Sequence, residues 1–159
     1  MNTYPNIFLD LKKLRDKIYD LSGDKKIVYT YGAWDLFHPG HVNLLRRVKE
    51  MGDFLIVGVV ADKPIKDLKG IDRPTQSQEE RIVVVANSRY VDAAILQPEY
   101  DPSQQLRLIK SVDILAKGDD WDYIPGEEAI EKLGGKLVKP TYTEGFSTSM
   151  LVEKLAKDK

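Results

Sequence analysis

At 159 residues the chain is long enough for one compact domain, which would bury roughly 70% of the surface its unfolded form exposes. Lys and Arg total 24 against 25 Asp and Glu, so a net charge of −1 gives no bulk reason to expect nucleic acid or an anionic membrane as partner. Cysteine is absent, which excludes disulfides, thiolate zinc sites and cysteine nucleophiles, and no apolar stretch approaches the ~20 residues of a membrane span. Met1–Pro5 is not a basic region leading into an apolar run, so no secretory leader is expected and the expected location is cytoplasmic.

Ile7, Leu11, Leu14, Ile18 and Leu21 recur at spacings of three and four, which predicts an amphipathic helix over 6–21 ended by Ser22-Gly23-Asp24. Ile27–Tyr31 is β-branched and aromatic, a first strand. Gly40–Met51 reads as a helix with Val42, Leu45, Val48 and Met51 on one side. Phe54–Val60 is a near-continuous apolar run, suited to a strand buried on both faces of a parallel sheet. A polar, Lys-rich stretch follows from Ala61 to Thr75. Ser77 and Glu80 have capping-box spacing and open a helix to about Ser88. Ala93–Leu96 is a third strand, Ser103–Lys110 a helix, Asp113–Ala116 a fourth strand, Pro125–Leu133 a helix, Lys136–Val138 a fifth strand and Ser147–Leu155 a closing helix. The alternation predicts an α/β fold: a Rossmann-like, five-stranded, mainly parallel sheet with helices on both faces. Residues 1–25 are read as an N-terminal helical extension and 26–159 as the main domain. Ligands of such sheets sit beyond the carboxyl ends of the strands, so the segments after each strand come first.

After the first strand comes Gly32-Ala33-Trp34-Asp35-Leu36-Phe37-His38-Pro39-Gly40-His41, which holds both histidines of the chain, three residues apart, at a predicted helix start. A helix N-terminus presents unpaired N–H groups and a positive dipole end to phosphate. Gly40 is expected to let a phosphate approach the backbone, and two imidazoles can donate to charge developing on a phosphoryl group. H-x-x-H lacks the third ligand a zinc site needs, and the G-x-G-x-x-G fingerprint of dinucleotide sites is missing. An incidental loop pair is the remaining reading, disfavoured by the spacing and the place.

The run Gly-x-x-Asp-x-x-His-x-Gly-His resembles the cytidylyltransferase-like nucleotidyltransferases, whose two histidines stabilise the transition state at the α-phosphate. Four further elements match in order. Leu68-Lys69-Gly70 resembles the segment whose lysine grips acceptor and α-phosphates. Composition alone reads Lys63, Lys66, Lys69 and Arg73 as a solvated face. Arg89-Tyr90-Val91-Asp92 and Gly118-Asp119-Asp120-Trp121 are similar to the R-Y-V-D and G-D-D-W elements of the glycerol-3-phosphate, choline-phosphate and ethanolamine-phosphate members. Thr143-Glu144-Gly145-Phe146-Ser147-Thr148-Ser149 resembles the segment that binds the β- and γ-phosphates at a helix start.

What this resemblance implies is a nucleotidyltransferase. Its catalytic residues would be His38, His41 and Lys69. Its nucleotide contacts would be Gly32, Ala33, Trp34, Asp35, Gly40, Arg89, Gly118, Asp119, Asp120, Trp121, Thr143, Gly145, Phe146, Ser147 and Thr148. Arg81 is evenly divided between an ion-pair and a functional role. Mg²⁺ is implied on the phosphates, with no direct protein ligand, and Asp35 as an outer-sphere partner. The implied partners are a nucleoside triphosphate, a small phosphorylated alcohol or sugar phosphate, and a second copy of the chain through Arg89–Asp92. Two features divide the family. Gly118–Trp121 and Arg89–Asp92 point to CTP and a glycerol 3-phosphate-like acceptor. Leu68-Lys69-Gly70 with Arg73-Pro74, and Gly134-Gly135, resemble the ADP-heptose-forming adenylyltransferases, which use ATP. Tyr142 stands where the CTP users place an arginine, a departure the ADP-heptose-forming members share. The sequence leans to CTP. A nucleotide-sensing module without turnover, or a dinucleotide oxidoreductase, would be the readings of another class.

Overall fold

The structure, a computed structural model, describes residues 3–21, 23–118, 122–141 and 144–157. Among these, five strands form one sheet in the order β3-β2-β1-β4-β5: β1 (Ile27–Gly32), β2 (Phe54–Val60), β3 (Ala93–Gln97), β4 (Ile114–Ala116) and β5 (Lys136–Val138). Every pairing is parallel, with Tyr29 opposite Ile56 on one side and Leu115 on the other. The fold is Rossmann-like. Strand order reverses between β1 and β4, and that switch point is where such sheets open a crevice.

Among the described residues seven helices connect and flank the strands: α1 (Leu11–Asp20), α2 (Pro39–Lys49), α3 (Asp62–Lys69), α4 (Gln78–Ala86), α5 (Ser103–Ile109), α6 (Glu127–Lys132) and α7 (Thr148–Lys157). Leu14, Ile18, Leu106, Ile109 and Ile130 from α1, α5 and α6 pack on one face of the sheet. Leu45, Val48, Ile82 and Val85 from α2 and α4 pack on the other. With both faces covered, β2 is buried at all seven positions, which explains its unbroken apolar run.

Two elements differ from the sequence expectation. The first helix starts at Leu11, capped by the Asp10 side chain on Lys12 N–H at 2.8 Å. The residues before it lie along β3 instead: Ala94 N–H donates to Asn6 O at 2.8 Å and Phe8 N–H to Ala94 O at 2.9 Å. The Lys-rich stretch holds an eight-residue helix, α3, whose one fully buried side chain is Ile65. A helix with so narrow an apolar face leaves little periodic signal.

The N-terminal segment is thus part of the core, with Leu14 completely buried against α5 and the sheet. Leu14→Ala should lower unfolding free energy by about 3 kcal/mol, the usual scale for a buried leucine truncation. Chemical denaturation checks this; a change below about 1 kcal/mol would mean that α1 is only an appendage.

Candidate active site

A cavity opens at the carboxyl ends of β1 and β4. Tyr31, Gly32, Ala33, Trp34 and Asp35 line it from the first strand and its loop, Lys117 and Gly118 from the end of β4, and Ser147 and Thr148 from the start of α7. His38 and His41 lie at the start of α2, so two helix N-termini converge on the same space.

The histidine geometry fixes their chemistry. His38 is the N-cap of α2, and its Nδ1 accepts the Gly40 N–H at 3.1 Å. The Nδ1 of His41 accepts the His38 N–H at 3.3 Å. A backbone N–H can only donate, so each Nδ1 is unprotonated and each proton resides on Nε2. The Thr148 hydroxyl donates to Asp35 O at 2.8 Å, which leaves its oxygen as acceptor 3.5 Å from His38 Nε2. The rings stack at 3.8 Å between centroids, and His41 also meets Phe37 and Trp34. Burial lowers the pKa of His38. Burial, with His38, Lys69 and Lys117 adding to it, lowers that of His41 to about 3. Both imidazoles are therefore neutral N–H donors at pH 7.

Gly40 has a steric role at the helix start. A Cβ there would lie 2.8 Å from His38 Cε1 and 3.0 Å from Phe146 Cβ. The glycine makes room for the His38 ring to fold back on the helix start.

The loop before the histidines is held on both sides. Trp34 and Leu36 adopt positive φ, 57° and 47°, a costly conformation for non-glycine residues. Trp34 Nε1 donates to Gly58 O at 3.0 Å. Arg81 is fully buried and structural: it donates to Ala33 O, to Gln76 O at 3.1 Å and to Asp62 at 2.6 Å. Asp35, also buried, accepts Thr75 N–H at 2.8 Å and Gln76 N–H at 3.0 Å.

Lys69, the last residue of α3, lines the cavity, as do Arg73 and Lys117, which sequence reasoning did not single out. Lys117 Nζ donates to Tyr31 O at 2.9 Å and lies 4.4 Å from the Tyr31 ring centroid. Three cations thus face one carboxylate, Asp35, among the described lining residues, a balance suited to phosphate. Lys117 was legible, since it directly precedes Gly118 at a strand's carboxyl end. Arg73 was hidden in a run that reads as solvated. Tyr100, from the loop after β3, joins Tyr31 and Trp34 as an aromatic of the wall.

Other expected contacts lie elsewhere. Arg89 is exposed in the turn before β3, at the amino end of the sheet and outside the cavity. Its neighbour Asp92 takes Lys49 Nζ at 2.6 Å and Leu55 N–H at 2.7 Å, which pins the start of β2. Helices antiparallel to the strands deliver their C-termini to this far end, so R-Y-V-D is remote from the histidines of its own chain. Gly145 and Phe146 line an adjoining apolar groove with Pro39, Met150 and Leu151. Asp119, Asp120, Trp121, Tyr142 and Thr143 lie outside the described residues.

The profile of the cytidylyltransferase-like family matches residues 29–154. The chain belongs to that family. Its domain is nucleotidyltransferase-like. It is similar to the bifunctional protein HldE of Gluconobacter oxydans, 41% identical over 129 residues that cover 80% of this chain and 27% of that protein. The HldE of Aliarcobacter butzleri is 34% identical over 159 residues, 99% of this chain and 32% of that one. The chain spans about a third of the length of these curated relatives. A lipopolysaccharide core biosynthesis protein from Thermoplasma volcanium superposes with TM-score 0.63 at 27% identity, covering 75% of this chain and 97% of its own. A pantoate-β-alanine ligase from Francisella tularensis shares the fold, with TM-score 0.62 at 18% identity over 95% of this chain and 76% of its own.

Two measurements test the histidine geometry of this family member. The His41 pKa is lowered on folding, so the neutral ring contributes stability above the unfolded pKa of about 6.5 that is lost as pH falls towards 3. Unfolding free energy should drop between pH 7 and 5 by an amount on the order of 1–2 kcal/mol, and His41→Gln should remove most of that slope. An unchanged slope in the variant would contradict a neutral, buried His41. The second concerns His38, which both caps α2 and presents Nε2–H. His38→Asn keeps a good N-cap and should hold stability within about 0.5 kcal/mol, while His38→Ala should lose about 1 kcal/mol. Equal stability of the two variants would show that the cap contributes nothing.

Proposed function

We propose that this domain transfers an adenylyl group from ATP to a sugar phosphate of the heptose phosphate type, releasing pyrophosphate. The observation that carries it is the pair of neutral imidazoles. Both Nδ1 atoms are spent on the backbone, so both protons sit on Nε2 in the cavity at two converging helix starts, that of His38 shared only with the Thr148 hydroxyl at a long 3.5 Å that a phosphoryl oxygen would replace.

In this reading an oxygen of the acceptor's phosphate attacks the α-phosphorus of ATP in line. A new P–O bond forms, the bond from that phosphorus to the bridging oxygen of the β-phosphate breaks, and pyrophosphate leaves with the electron pair. The histidine Nε2–H groups donate to the non-bridging α-oxygens, where charge is best stabilised by fixed dipoles. Lys69 faces charge shared between acceptor and α-phosphate, and the Ser147-Thr148 start of α7 receives the pyrophosphate. No covalent enzyme intermediate is needed, because positioning and charge stabilisation suffice. Mg²⁺ belongs to the proposal as a group that would neutralise phosphate charge. Asp35, whose carboxylate oxygens each accept a backbone N–H, would meet it through a water. A homodimer through the exposed Arg89 face is a further part of the reading.

Two considerations put ATP ahead of the CTP to which the sequence leaned. Its curated relatives are HldE proteins, in keeping with its likeness to the ADP-heptose-forming members at Leu68-Lys69-Gly70, Arg73-Pro74 and Tyr142. One of the two CTP-like elements, Arg89–Asp92, lies at the far end of the sheet. The other, Gly118–Trp121, keeps CTP with glycerol 3-phosphate as the second reading.

Pyrophosphate release should be measured for ATP and CTP against heptose 1-phosphates, glycerol 3-phosphate and choline phosphate. ATP with a sugar phosphate should exceed the CTP pairs by about 10²-fold or more in kcat/KM. His41→Ala should lower kcat by about 10²-fold, the scale for one lost transition-state donor. A preference for CTP and glycerol 3-phosphate would overturn the proposed substrates, and near-normal turnover by His41→Ala would overturn the mechanism.

A further inference from the structure

The loop between α3 and α4 is bound to the histidine loop more closely than a surface connection requires. Asp35 accepts N–H bonds from Thr75 and Gln76, and Leu36 N–H donates to Gln76 Oε1 at 3.0 Å. The buried Arg81 clamps Gln76 O and Ala33 O together from behind. This lacing presents Arg73 to the cavity. Its Nε sits 3.4 Å from Asp35 Oδ2, its side chain is 19% exposed, and it lines the same space as His38, Lys69 and Thr148. An arginine drawn so far out of water needs strong acceptors, and among the described residues its Nε atom has no hydrogen bond.

Asp35 also locates Arg73 along the cavity. Its carboxylate meets Arg73 while its backbone oxygen accepts the Thr148 hydroxyl, so the guanidinium and the start of α7 share one wall. That wall is where the adenylyltransferase reading places the departing phosphates, and Tyr142 leaves the chain without the arginine that CTP-using members bring to them.

We infer that Arg73 is the phosphate-binding arginine of this site, holding the β- and γ-phosphates of the donor and then pyrophosphate, with Asp35 as its positioning residue. A planar guanidinium bridges two phosphate oxygens, and neither Lys69 nor a hydroxyl offers that geometry. The inference rests on the nucleotidyl-transfer reading but not on which base or acceptor is used.

Pyrophosphate itself is the probe, titrated calorimetrically into the unmodified chain, Arg73→Gln and Arg73→Lys, with and without Mg²⁺. Steady-state KM values for ATP and for the sugar phosphate are measured beside it. Arg73→Gln should weaken pyrophosphate binding and raise the KM for ATP by about 10- to 100-fold, the scale of a lost charge-assisted bond pair. Acceptor KM should stay within about twofold, and Arg73→Lys should fall between. Arg73→Lys keeps the charge beside Asp35 and remains readable if Arg73→Gln does not fold. Pyrophosphate binding equal to the unmodified chain in the folded variants, or a loss confined to the acceptor KM, would overturn the inference. A preference for CTP would sink the proposed substrates while leaving the pyrophosphate titration valid.

Discussion

His38 gives its Nδ1 to the Gly40 N–H, and His41 gives its own to the His38 N–H. The functional reading depends on these two bonds. They cap α2, and they also decide which nitrogen of each ring carries the proton. Without them the rings would be free to turn and change tautomer, and the cavity would lose its two fixed donors. The first bond has room because Gly40 lacks a Cβ, and Pro39 starts the helix without an N–H that would need a partner.

Behind the histidines lies a set of buried charges that would be costly if left unsatisfied. Arg81 and Asp35 are both removed from water, and each has two backbone partners besides one counter-ion, Asp62 for Arg81 and Arg73 for Asp35. The effect is to fix the 33–36 and 73–76 segments relative to each other and to β2. The strained φ angles of Trp34 and Leu36 persist because Trp34 is tied to Gly58 O and Leu36 to Gln76. A site that works through oriented dipoles gains from such rigidity, since no reorganisation is then needed as charge develops.

The centre of the sheet was readable in the sequence because parallel strands buried on both faces leave unbroken apolar runs; β2 falls where the pattern placed it, and β1 to within one residue. The Ser77–Glu80 capping box was equally direct. Less was legible where a residue's role depends on distant chain. Arg73 looked solvated among lysines, and only the bonds from Asp35, some 40 residues earlier, turn it inward. Arg89 looked like a nucleotide contact by its motif, but a helix antiparallel to β3 carries it to the opposite end of the sheet. Gly40 lies at the helix start as expected, and its space is closed by the neighbouring His38 ring and also by Phe146, more than a hundred residues on.

The most direct test is nitrogen NMR of the two histidine side chains at pH 7, without ligand and then with ATP and Mg²⁺. Both rings should show protonated Nε2 and unprotonated Nδ1, with the Nε2 resonances shifting when the nucleotide binds. Imidazolium spectra, Nδ1–H tautomers, or Nε2 signals that ignore the nucleotide would contradict the account.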